Sequence, residues 1–252
     1  MKVERYIFGS FRGYATLAAS PGVSADDERL LESEIYSFGQ TYDPGFYESL
    51  PTSAPFFTTN LPQARRALTC VAKGRRDDAG RPTLLFITVV LSRGDWDGVL
   101  LGDVAMLMKS ASLWTWPGGS ELAAVELADT PSAAIISRAQ VPRVLGLISQ
   151  LERDVIAQRS TVIRESPYCY KDARAIEMLI PPAQRSRITT AFRTLSPRMA
   201  ANLICLAREA DDDCPTVAIA EGAHNSHYAK ALLEAGLASG VVPTALIRGY
   251  RW

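Results

Sequence analysis

Ala64-Arg65-Arg66-Ala67-Leu68-Thr69-Cys70-Val71-Ala72, then Lys73-Gly74-Arg75-Arg76-Asp77-Asp78-Ala79-Gly80-Arg81, then Pro82-Thr83-Leu84-Leu85-Phe86-Ile87-Thr88-Val89-Val90-Leu91 is the stretch that decides the fold. Its flanks are apolar and rich in β-branched residues, and the polar, glycine-containing tract between them reads as the turn of an antiparallel hairpin. Ser92-Arg93-Gly94-Asp95 ends the second strand. Upstream, Val3–Gly9 and Tyr14–Ala19 read as strands joined by a turn at Ser10–Gly13, and Ser20-Pro21-Gly22 breaks the chain. A helix follows: Ser24 is its N-cap, Asp26 and Asp27 favour its dipole, and Leu30, Leu31 and Ile35 form its apolar stripe up to Gly39. Gln40–Pro55 is a connection, and Gly102–Ser110 predicts a short helix carrying Val104, Leu107 and Met108 on one side.

Downstream of the hairpin the pattern changes. Residues 111–133 lose periodicity, and Trp114, Trp116, Pro117, Gly118, Gly119 and Pro131 mark an irregular connection with aromatic anchors. Beyond it, Ala134–Ser137 reads as a short strand. Val141–Gln158 is the strongest amphipathic helix, with Leu145, Ile148, Leu151, Val155 and Ile156 on one face. Then come a helix at Lys171–Leu179 stopped by Pro181-Pro182, a strand near Ile188–Phe192, a helix or strand near Met199–Ala207, a strand at Thr216–Ala220 and a helix at Ala223–Ala235. The expectation is an α/β (mixed α+β) protein with two lobes: an antiparallel-hairpin-containing lobe over 1–112, a connection over 113–133, and an alternating α/β lobe over 134–252 with some parallel pairing.

Composition narrows the chemistry. Of 252 residues 47% are hydrophobic and 21% charged, which is enough apolar matter for a large core. Lys plus Arg and Asp plus Glu both total 27, so the net charge is zero and no global field draws phosphate or anionic lipid. Four cysteines, Cys70, Cys169, Cys205 and Cys214, form no C-x-x-C pair, which points to a reducing compartment. Without a signal-peptide pattern or an apolar run of about 18 residues, a cytoplasmic location and no membrane partner are the expectation.

Catalytic strings are missing: no P-loop, no G-x-G-x-x-G, no G-x-S-x-G and no H-E-x-x-H occurs. His224 and His227, after Glu221, would share a helical face, but a zinc site would need Glu221 or Cys214 as a further ligand. An exposed helix start explains them more simply. Cys169, between Tyr168 and Tyr170, would need His224 or His227 as its base to act as a nucleophile in a hydrolase-like enzyme. A small buried residue is the simpler account. No metal or cofactor is expected.

Two sets of binding residues stand out. Arg65, Arg66, Lys73, Arg75, Arg76 and Arg81 against Asp77 and Asp78 make the hairpin locally positive, with Arg75, Arg76 and Arg81 as the candidate anion-binding group. A solvated strand edge explains the same charges, and nucleic acid is not expected as a general ligand. Trp114 and Trp116, with the tail residues Tyr250, Arg251 and Trp252, are the candidate protein-interaction residues, because Trp, Tyr and Arg concentrate interface energy. Core packing for the tryptophans, and a last strand on the sheet for the tail, are the competing accounts.

Tyr6-Ile7-Phe8-Gly9-Ser10-Phe11-Arg12-Gly13-Tyr14-Ala15-Thr16-Leu17-Ala18-Ala19-Ser20-Pro21-Gly22, followed by Asp78-Ala79-Gly80-Arg81-Pro82 and a strand, resembles the N-terminal domain of bacterial GTPase-associated proteins. Asp172-Ala173-Arg174-Ala175-Ile176, Leu179-Ile180-Pro181-Pro182-Ala183-Gln184-Arg185 and Ile188-Thr189-Thr190 are similar to the middle region of the same proteins. Phe86-Ile87-Thr88 stands where that pattern has a histidine, so no histidine-dependent role carries over. The resemblance implies a non-enzymatic adaptor or scaffolding component of a bacterial conflict or antiviral defence system, acting on a protein partner encoded nearby.

Overall fold

Successive residues of a strand face opposite ways, and both sides of the first strand are buried: Val3 and Ile7 on one, Tyr6 and Phe8 on the other. A strand apolar on both sides needs a layer over each face, and helices supply it. The computed structural model describes residues 1–10, 13–39, 55–128, 133–164, 169–194, 201–206 and 226–252, with Arg164, Cys169 and Tyr170 described in the backbone only. The chain is mixed α/β, built on one large mixed sheet.

β1 (Lys2–Ser10), β2 (Tyr14–Ala19), β3 (Phe56–Leu61), β4 (Arg65–Lys73) and β5 (Leu84–Ser92) make the antiparallel part, and β4 and β5 are the two arms of the expected hairpin. The short β6 (Val125–Glu126) pairs with the start of β1. β7 (Thr161–Arg164), β8 (Thr190–Thr194) and β9 (Leu203–Leu206) run parallel, giving the order β2-β1-β5-β4-β3-β8-β9-β7. The Phe-Phe-Thr-Thr run of β3 and the short β6 and β7 add three strands to those the sequence pattern marks. β3 is the hinge of the topology, since it pairs with β4 on one side and β8 on the other.

One face is covered by α1 (Ala25–Gly39), whose Leu31, Ile35 and Phe38 lie on Tyr6, Phe8, Phe57 and Phe86. Its start is a capping box: Ser24 Oγ accepts from the Asp27 amide at 3.2 Å and Asp27 Oδ2 accepts from the Ser24 amide at 2.8 Å. The other face carries α2 (Arg93–Gly98), α3 (Val104–Met108), α4 (Ala111–Trp114), α5 (Val141–Ile156), α6 (Cys169–Leu179), α7 (Pro182–Arg185), α8 (His227–Glu234) and α9 (Thr244–Gly249). Leu145, Ile148 and Leu151 of α5 are buried as the periodicity predicts, but Ile156 is 69% exposed because it sits in the last turn, past the edge of the layer. None of the helices in the described residues is long and apolar enough to cross a membrane.

Ala134–Ser137 is not a strand: Ile135 makes an isolated bridge to Val241, and Arg138–Gln140 then turns as a 3-10 segment. The tail is not a last strand on the sheet either, for α9 takes it onto the helical layer. Thr216–Ala220 and nearly all of the Gln40–Pro55 connection lie outside the described residues.

The sheet passes from β3 to β8 and so joins the segments before and after 113–133. Three arginine–carboxylate pairs cross the same join: Arg66–Glu177, Arg185–Asp97 and Arg174–Asp103. Arg66 is 1% exposed, and its guanidinium donates to Asn60 Oδ1, to the carbonyls of Arg185 and Ile188, to Thr58 Oγ1 and to both oxygens of Glu177, while lying 5.1 Å from the Trp96 ring. Burial lowers its pKa, and the Glu177 carboxylate works against that shift. Gly102 is required beside this network: at φ +76 a Cβ would meet the Glu177 carbonyl at 2.4 Å.

Candidate functional site

The hairpin is less basic than its composition. Arg66 is buried in the join, and Arg65 reaches back to the buried Asp27 of α1. Arg81 donates to Asp77 at 2.7 Å, and Arg76 donates to the Gly80 carbonyl at 2.7 Å. Asp77 also accepts the amides of Ala79 and Arg81, and these bonds, led by the Arg81 amide, hold its carboxyl below the usual range. Thus Arg76 and Arg81 of the expected anion-binding group make bonds that shape the turn, and Lys73 and Arg75, which have interactions of their own, stand at its base.

Those two cations line a cleft of about 590 Å³ with Ser10, Thr16, Leu17, Gly74, Thr83, Leu84, Leu85, Trp116, Gly118 and Gly119. That volume suits a small molecule or a few residues of peptide. Leu17 and Leu85 form an apolar patch with Ile7, Ala18, Ile87 and Leu122, and Trp114 and Trp116 pack against it. Gly9 lets this floor close, since a Cβ there would sit 3.0 Å from Leu85 Cδ1 and 3.1 Å from Leu17 Cδ1. Thr83 Oγ1 donates to the Arg75 carbonyl and fixes the chain on the basic side.

The tryptophan segment is held from behind. Trp114 donates its indole N–H to the Leu107 carbonyl at 2.9 Å, and Trp116 donates its own to the Gly119 carbonyl at 3.2 Å. Between them the Thr115 carbonyl accepts from Arg5, a buried arginine whose pKa burial lowers. Trp114 is therefore chiefly a packing residue, and Trp116 is the one that reaches the cleft. Trp116 and Arg75, from separate candidate sets in the sequence, meet in one site. Ser10, Thr16, Leu17 and Thr83 complete it with no local motif; the small residue at Gly9 is the one sequence signal of their approach.

Tyr250 and Trp252 pack on Tyr228, with ring centroids 4.4 and 5.9 Å away, while Arg251 is exposed. Tyr228 donates to the Leu179 carbonyl, so the tail closes the layer of α6 and α8. Trp252 also borders a second cleft with Arg159, Arg187, Asn202 and the exposed Ile156. It opens at the starts of the parallel strands, the end opposite to that used by ligands of open α/β sheets.

For catalysis through Cys169, the thiol itself, His224, Glu221 and Cys214 lie outside the described residues. His227 is the exposed first residue of α8, after the capping Ser226. The described cysteines Cys70 and Cys205 are buried, and burial pushes the Cys70 thiol up, away from nucleophilic use. Among the described residues, no group of three or more His, Cys, Asp and Glu side chains could hold a metal ion. Comparison of the chain with protein-family models, curated proteins and solved structures returned no match.

Proposed function

We propose that this chain is a non-enzymatic protein-interaction module whose recognition site is the cleft at the base of the hairpin. The observation that carries the reading is the convergence of Lys73 and Arg75 with Trp116 on an apolar floor. Aromatic and cationic side chains around a partly desolvated apolar centre are the usual anchors of an interface. The adaptor role in a bacterial conflict or defence system, implied by resemblance to GTPase-associated proteins, fits such a module and supplies its partner from a neighbouring gene.

Co-expression with the products of adjacent genes, followed by size-exclusion chromatography with light scattering, tests the proposal. The wild-type chain is expected in a stable complex. The Trp116→Ala, Arg75→Glu variant is expected to elute alone while still unfolding in one cooperative transition, at a melting temperature lowered by the lost Trp116 packing. Elution of the wild type alone, with every neighbour expressed, overturns the reading.

A further inference from the structure

α5 ends on an unexpected residue. The Arg159 amide donates to the Asp154 carbonyl at 2.7 Å and the Gln158 amide to the Val155 carbonyl at 3.1 Å, the paired bonds of a Schellman turn, with Gln158 in the left-handed region at φ +55. Glycine ordinarily takes that position, because a Cβ is strained there. Here a glutamine holds it, and its exposed side chain stands at the cleft of about 560 Å³ beside the starts of β7 and β9. Ile156, 69% exposed, borders the same cleft.

The lining is rich in donors that lack acceptors. Arg187 is exposed, and among the described residues its side chain has no partner. Arg159 gives Nε and Nη2 to Asp154 Oδ1 and keeps Nη1. Asn202 Oδ1 accepts the Thr189 amide at 2.9 Å, which fixes the side-chain amide and leaves Nδ2 as a donor. The indole N–H of Trp252 is buried and makes no hydrogen bond. No acidic residue lines the cleft among the described ones: Asp154 is buried and paired with Arg159, and the Trp252 carbonyl oxygen accepts from Gln184 Nε2 at 3.5 Å.

We propose that this cleft binds an organic carboxylate with an apolar body, its carboxylate at Arg187 and Asn202 and its body against Val155, Ile156 and Trp252. The site is separate from the cleft at the hairpin and stands without the interaction-module reading. The planar fork of an arginine matches a carboxylate in two parallel hydrogen bonds. Two features favour a singly charged carboxylate over phosphate. Phosphate sites use clustered backbone N–H groups, but the amides of Arg159, Arg187, Asn202 and Thr161 are taken by the carbonyls of Asp154, Gln184, Thr189 and Asn202. α5 also ends at this cleft with its C-terminal, negative pole, which opposes a dianion more than a monoanion. The carboxylate can come from a free small acid or from the C-terminus of a peptide.

The test titrates the full chain with phenylbutyrate and with the N-acetylated peptide Gly-Ser-Val-Leu, each against its neutral amide, by calorimetry and two-dimensional amide NMR. At least one acid is expected to bind saturably with a Kd below about 1 mM, shifting the Ser160 and Asn202 amides and the Trp252 indole N–H. Binding of phenylbutyrate assigns a free acid, and binding of the peptide alone assigns a chain terminus. Arg187→Gln is expected to weaken binding about tenfold at an unchanged thermal midpoint, since the side chain has no partner to lose. Gln158→Gly is expected to weaken it about threefold while the midpoint holds or rises, because glycine takes the left-handed position without strain.

No saturation by either acid below about 10 mM, equal binding by the amides, tighter binding of inorganic phosphate, or an affinity that neither substitution changes would each overturn the inference.

Discussion

Arg66 and Arg75 stand on the same hairpin and have opposite fates. Arg66 points from β4 into the join between β3, α6 and α7, where Glu177, Thr58, Asn60 and two carbonyls surround it. Arg75 lies past the end of β4, where the chain leaves the sheet, and borders an open cleft with Trp116. A cation's role therefore follows from its place relative to the sheet. Inside the ladder it must be neutralised in place, because an isolated buried charge is prohibitive. Beyond the ladder it stays exposed, at the rim of the cleft.

The largest effect is expected when the counter-charge is removed from the join. Glu177→Gln keeps the shape but leaves Arg66 facing a neutral amide, and is expected to cost about 3 kcal/mol in urea unfolding. A cost under about 1 kcal/mol would mean that the neutral bonds around Arg66 suffice. Packing behind the join is tested next: Leu151→Ala, in the buried stripe of α5, should lose about 2–5 kcal/mol. Ile156→Ala on the same helix should change stability by no more than about 0.5 kcal/mol.

Asp154 offers a smaller, pH-dependent test of charge held inside the fold. Burial acts to raise its carboxyl, but hydrogen bonds from Gln150, Thr161 and Arg159 outweigh burial and leave it below the usual range. A carboxyl depressed in the folded state adds stability above its unfolded value, and that stability is lost as pH falls through the folded one. Asp154→Asn should therefore cost roughly 1 kcal/mol at neutral pH, and the gap to wild type should close below about pH 4. Acid titration of both proteins by circular dichroism measures the closing.

The smallest stability effect is expected at the cleft, where Lys73→Ala with Arg75→Ala should leave the urea midpoint within about 0.5 kcal/mol of wild type. A loss above about 1.5 kcal/mol would place the two cations with Arg66, as parts of the fold instead of parts of a site.

Elements whose signals are local are legible in the amino-acid sequence. The hairpin is legible because its arms and turn are contiguous. α1 is legible because Ser24 and Asp27 cap it and Leu31 and Ile35 repeat at helical spacing, and the buried face of α5 shows in its periodicity. Trp116 and Arg75 could be singled out by residue type, but not as neighbours. Their meeting, the burial of Arg66 against Glu177, and the edge position of β2 come from long-range packing. Strand order and ion-pair partners depend on contacts between residues far apart in the chain, and no local preference encodes which strands are neighbours. The same register that buries one arginine of the hairpin leaves another at the cleft.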